Sequence, residues 1–149
     1  MSGWSEWTDI KQNANHGGCG VYKIRLAYSK GPPIEIHRFL DNDRDGILLI
    51  GSSEDIERRI KYFRGAMEGK RYAHAEGQRL NLIKIYTNFM ERYKNSRLQY
   101  SFKKLQNKEE VQVEEERLLK CYFKIYGEVP PLNNNLPDKN IDWENLDRD

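Results

Sequence analysis

The chain predicts an α+β fold, in which a mainly antiparallel sheet packs against helices. Three observations carry this expectation. Residues 20–27 alternate Val21, Lys23 and Arg25 against Tyr22, Ile24 and Leu26, the period-two signature of a strand. Residues 47–60 read as a buried strand, a glycine turn and a helix. Two stretches with helical periodicity, 78–93 and 111–126, enclose a third alternating stretch at 97–105.

Residues 1–18 carry Trp4, Trp7 and an Asn/Gly-rich stretch, which predicts a loosely ordered arm with tryptophans able to pack back on the domain. His16 reads as a loop histidine. Gly31-Pro32-Pro33 ends the first strand. Residues 34–40 are a candidate strand, and the Asp-Gly at 45–46 turns the chain into the next one, so 34–51 reads as a hairpin. The acids at 41, 43 and 45 lack the later Glu of an EF-hand loop, so this stretch reads as a solvated turn. Ile47-Leu48-Leu49-Ile50 is β-branched and aliphatic, as a buried strand requires. Gly51 ends it where the backbone must turn or approach something closely. Ser52 or Ser53 then caps a helix that carries Ile56, Ile60 and Phe63 on one face, with Arg59 beside that face about two turns in.

A loop over 65–77 holds His74. The last helix turns Leu118, Leu119, Tyr122, Phe123 and Tyr126 inward and stops at Gly127, before Pro130-Pro131-Leu132-Asn133. The organisation predicted is an arm at 1–18, one domain at 19–135 and a polar, acidic tail at 136–149.

With 149 residues the chain has the length of one ordinary domain. It has no apolar run long enough to cross a membrane. Cys19 and Cys121 stand alone in no metal-ligand spacing, which predicts a reducing, intracellular (cytoplasmic) setting. The net charge of +2 conceals segregation: residues 56–108 carry 14 Lys/Arg against 4 Asp/Glu, a balance of +10, while the segments on either side are net acidic. Tyr62, Tyr72, Tyr86, Tyr93 and Tyr100 are interleaved with these cations, a pattern suited to a polyanion. The alternative is an ordinary solvated helical face.

Gly20-Val21-Tyr22, Leu49-Ile50-Gly51, Arg59, an acidic late helix and Asn133 form an ordered set that resembles the GIY-YIG nuclease family over residues 19–135. The resemblance implies a small three-stranded, mainly antiparallel sheet flanked by helices, here with an inserted hairpin strand. It also implies magnesium- or manganese-dependent cleavage of DNA phosphodiesters. Tyr22 would orient or deprotonate the attacking water, although alone it reads as a half-buried strand tyrosine. Arg59 would grip the phosphate, although its position also suits a salt bridge to Glu54 or Asp55. Two apolar residues three and four positions after the metal-binding Glu select Glu115, with Glu116 as the other candidate. Asn133 would cap or orient the site.

Arg58, Lys61, Arg64, Lys70, Arg71 and His74 are the expected nucleic-acid contacts. Leu49 departs from the family's usual second tyrosine, with Tyr62 and Tyr28 as candidate replacements. Phe63 stands where several members carry His or Tyr, which leaves His74 to supply a polar group near the phosphate. A nucleic-acid-binding module with weak or lost catalysis is the alternative function.

Overall fold

The computed structural model describes residues 3–14 and 17–137. The expectations for His16 and for 138–149 lie outside the described residues. Strands β1 (Thr8–Asp9), β6 (Ser96–Lys104), β2 (Gly20–Tyr28) and β5 (Ile47–Ser53) form one antiparallel sheet in that order. Helices α1 (Ile56–Met67), α2 (Ala75–Tyr86) and the short α3 (Phe89–Arg92) follow β5, and α4 (Lys108–Tyr126) follows β6. The remaining strands, β3 (Ile36–His37) and β4 (Asn42–Asp43), pair only with each other.

The alternation in β2 divides the core. Tyr22, Ile24 and Leu26 join Ile56, Ile60 and Phe63 of α1 and Leu80 of α2 on one face. Val21 joins Leu118, Leu119 and Tyr122 of α4 on the other. The register between β2 and β5 slips at Ile24/Arg25, which inserts Leu48 as an extra residue. This bulge lets both Leu48 and Leu49 enter the α1 side of the core while Ile47 and Ile50 serve the α4 side.

The sheet thus has four strands, where the resemblance implies three. The fourth comes from the arm, which is ordered over its described residues. Thr8 and Asp9 pair with Tyr100 and Gln99, and Trp4 bridges to Lys103. Lys23 and Arg25 lie over the rings of Trp4 and Trp7 at 4.6 and 4.1 Å, a cation–π anchor for the arm. Arg64 of α1 closes it from the other side, donating to Ile10 O, Lys11 O and Asn13 Oδ1.

The expected 34–51 hairpin is also revised. β5 pairs with β2, and only two residues on each side of the 38–41 turn pair as β3 and β4. Asp43 is the cause. It is 1% exposed, and its carboxylate accepts from the backbone N–H groups of Asp45 and Ile47 and from the Tyr122 hydroxyl. Asp43 is therefore a buried hydrogen-bond centre, whereas Asp41, Arg44 and Asp45 are exposed as expected of a solvated turn.

Asp55, not a serine, caps α1 by accepting from Arg58 N. That start puts Arg59 one turn into the helix instead of two. The helical stretch after the loop breaks at Thr87, and α4 begins three residues earlier than predicted, capped by Asn107.

Candidate active site

The site forms where β2 crosses β5. Tyr22 lies directly opposite Gly51 in the register, and a Cβ added at Gly51 would stand 2.5 Å from Tyr22 Cζ and Oη. The phenol therefore lies across the glycine, and this close approach is the reason for Gly51. Gly51→Ala has to displace the ring; we expect it to reduce any Tyr22-dependent activity to background, with a lowered melting temperature measured on the same preparation.

Tyr22 is 1% exposed, and burial raises its pKa well above the ordinary phenol value. The Arg59 guanidinium nearby offsets part of that rise, whereas the charges of Glu76 and Glu115 add to it. At neutral pH the phenol is protonated, so its resting form is a neutral hydroxyl and not a base. The His74 Nε2 atom lies 3.2 Å from the hydroxyl.

Arg59 reaches inward from α1, and its Nη1 donates to Ala73 O at 3.1 Å. That bond ties the guanidinium to the 68–74 loop and takes the place of the expected salt bridge to Glu54 or Asp55. Arg59 also contributes to the field at Tyr22, His74 and Glu115.

The three consecutive glutamates of α4 diverge. Glu114 takes Lys103 and Arg117 at 2.8 and 2.6 Å, and these hydrogen bonds hold its carboxyl down at about 2. Glu115 instead faces Ser52, Arg59, Glu76 and Tyr22; burial is the main cause of its raised pKa, and Ser52 partly counters it. Of the two candidates, Glu115 is the one that shares Tyr22's surroundings.

Asn133 stands one residue away from this chemistry. Its Oδ1 accepts from Ile50 N at 3.0 Å and its Nδ2 donates to Ile50 O at 2.9 Å. The amide thus acts as a strand partner for the outer edge of β5 and fixes the residue before Gly51. Both ends of the amide are occupied by the backbone of β5.

The expected nucleic-acid contacts divide. Arg58, Lys61, Lys70 and Arg71 are exposed, on α1 and in the loop that follows it. Arg58 also bonds the Tyr62 hydroxyl, and the Tyr62 and Tyr72 rings pack at 5.0 Å. Arg64 is committed to the arm, so it is not such a contact. His74 is a second correction: it is buried, and both of its ring nitrogens are engaged inside the fold, by Gly77 N and the Tyr22 hydroxyl, which leaves neither for a nucleic acid. It ends the 68–74 loop as the N-cap of α2, held against the Phe63 ring at 5.1 Å.

Leu49, in the position of the missing tyrosine, is fully buried. Tyr28 cannot replace it: β2 runs six residues from Tyr22 to Tyr28, about 20 Å. Glu76, in the first turn of α2, was missed by the sequence reading. The only signal for it was its place two residues after His74.

Among the described residues no group of three His, Cys, Asp or Glu side chains is arranged to hold a metal ion. The residues present still suit magnesium, which takes one or two carboxylates and keeps its waters. Glu115 and the nearby Glu76 supply hard oxygen donors whose mutual repulsion a cation would relieve. No family model, curated protein or solved structure matches the chain. Among the described residues no helix is long and apolar enough to cross a membrane.

Proposed function

We propose that the protein is a DNA endonuclease of GIY-YIG type that hydrolyses phosphodiester bonds with magnesium or manganese. The observation that carries this reading is the convergence of Tyr22, Arg59 and Glu115, from β2, α1 and α4, around Gly51. Phosphodiester hydrolysis needs a placed water, countercharge on the phosphate and help for the leaving oxygen. Tyr22 supplies a neutral hydroxyl that orients water or a phosphate oxygen. Arg59, anchored through Nη1 and bonded beside the Tyr22 hydroxyl, brings its planar guanidinium to the place where a phosphate would lie. Glu115 holds the divalent ion, which when bound supplies Lewis-acid stabilisation of charge on the phosphate and leaving oxygens. Asn133 keeps β5 in register beneath this arrangement.

The second reading, a nucleic-acid-binding module with lost catalysis, is favoured by Leu49, which leaves Tyr22 as the site's one motif phenol. A plasmid-nicking assay separates the two. Nicking that needs magnesium, stops with chelator and is absent in Glu115→Ala supports the nuclease. Binding without nicking under all these conditions supports the module.

Both readings place Arg58, Lys61, Lys70 and Arg71 on backbone phosphates. Each such contact adds about 0.9 to the slope of log affinity against log salt, so four contacts predict a loss on the order of 50-fold for a threefold rise in salt. A flat response in a filter-binding titration would remove the electrostatic interface from either reading.

A further inference from the structure

His74 is a buried polar side chain, in contact with Tyr22, that the reaction above leaves unused. It is held at both ring nitrogens. Nδ1 faces the backbone nitrogen of Gly77 at 3.2 Å, and Nε2 faces the Tyr22 hydroxyl at 3.2 Å. A backbone N–H can only donate, so Nδ1 must be an acceptor without a proton. An Nδ1 that accepts leaves the ring neutral, and its burial against Phe63, ring centroids 5.1 Å apart, gives a charge there no solvent to meet. The Glu76 carboxylate lies 3.8 Å from Nδ1, beyond hydrogen-bond reach. A neutral ring with an unprotonated Nδ1 carries its proton on Nε2.

We propose that His74 is a positioning residue for Tyr22, in which the α2 cap fixes the Nε2–H tautomer and the Nε2–H bond to the hydroxyl oxygen turns the tyrosine's own proton outward to the substrate. The chain of cause runs from the Gly77 N–H through the imidazole to the phenol. The Tyr22 oxygen is already used as an acceptor, so its O–H is the group left for a water or a phosphate oxygen. Without His74 that hydroxyl keeps only the Arg59 bond to orient it, and the buried oxygen loses a partner. The role in catalysis rests on the nuclease reading, whereas the tautomer lock does not.

Two substitutions separate the halves of the imidazole. His74→Asn keeps a capping oxygen near Nδ1 and lacks a donor at Nε2. His74→Gln places a donor near Nε2 and weakens the cap. A positioning role predicts that Asn keeps the melting temperature but lowers kcat for nicking by about tenfold or more at nearly constant KM. Gln should recover most of that rate at a lower melting temperature. A purely structural histidine predicts the reverse order of rates, which would overturn the proposal.

The lock itself is read on the unaltered protein by nitrogen-15 NMR of labelled histidine near neutral pH. The expected result is one neutral ring with its proton on Nε2 and a through-space contact to the Tyr22 ring. A proton on Nδ1, or a charged ring at pH 7, would overturn the proposal whether or not the protein nicks DNA. A locked Nε2–H in a protein that does not nick would leave the lock standing and sink the nuclease reading instead.

Discussion

Glu115→Gln is expected to abolish nicking while raising the melting temperature. The two effects have one cause. Burial, together with the charges of Glu116 and Glu76, disfavours the ionised carboxyl and raises its pKa. A carboxyl raised on folding adds stability while it is protonated, below the ordinary carboxylate range, and that contribution is lost as pH rises through the raised value. Above that raised value the ionised Glu115 costs stability, and a neutral isostere removes the cost. The same substitution removes the charge that holds the cation, so the rate should fall by about a thousandfold or more, to background. DNA binding should survive or strengthen, because a negative charge near the phosphates is gone.

Glu114→Gln is the control with opposite signs. Its carboxyl is depressed to about 2 by Arg117 and Lys103. That contribution to stability is present above the ordinary carboxylate range and fades as pH falls toward about 2. Glu114→Gln should therefore lower the melting temperature at neutral pH and leave nicking in place. Nicking by Glu115→Gln at the unaltered rate, with loss in Glu116→Gln, would show that the metal is held one residue along α4. Such a site that works at the expense of the fold is a familiar trade-off.

The parts of the fold legible in the sequence are those where one periodicity decides burial. β2, β5, β6 and the inner faces of α1 and α4 belong here, because alternating or helical spacing of large apolar residues leaves one way to cover them. The misread parts are those where a polar group decides. Asp43 gathers backbone N–H groups and a distant phenol and so sets the path from 38 to 47. β1 is two residues long and has no pattern of its own; β6 supplies the edge that it completes. His74 looks like any loop histidine until α2 begins one residue after it and Tyr22, 52 positions away, meets its ring. For the site, Tyr22, Arg59 and Glu115 came from the family resemblance; on position alone Tyr22 reads as a strand tyrosine and Arg59 as a salt-bridge residue. Ser52, Glu76 and the spatial need for Gly51 became visible only with the strands in register.

Arg59→Lys is expected to lower the nicking rate by more than about tenfold, roughly 1.4 kcal/mol of transition-state stabilisation, with DNA affinity little changed. The guanidinium has two tasks at once. One nitrogen bonds Ala73 O and ties α1 to the 68–74 loop. The rest of the planar fork faces the site and can hold a phosphate through two parallel bonds. A lysine carries the charge but has one nitrogen, so it cannot perform both tasks. Arg58→Lys is the matched control. Arg58 is exposed, about 100° round the helix from Arg59, and a backbone phosphate there needs only a positive charge. It should alter the rate little.

Leu49→Tyr addresses the missing phenol and should not restore anything. Leu49 is fully buried against the α1 side of the core, so the larger ring overpacks it at a cost of about 1–3 kcal/mol. Lower stability with no gain in rate is the expected outcome. A faster, equally stable Leu49→Tyr protein would mean that the pocket has room for a second phenol and that the present site is a weakened one. Equal rates for Arg59→Lys, Arg58→Lys and the unaltered protein would leave a shared constellation without the shared mechanism.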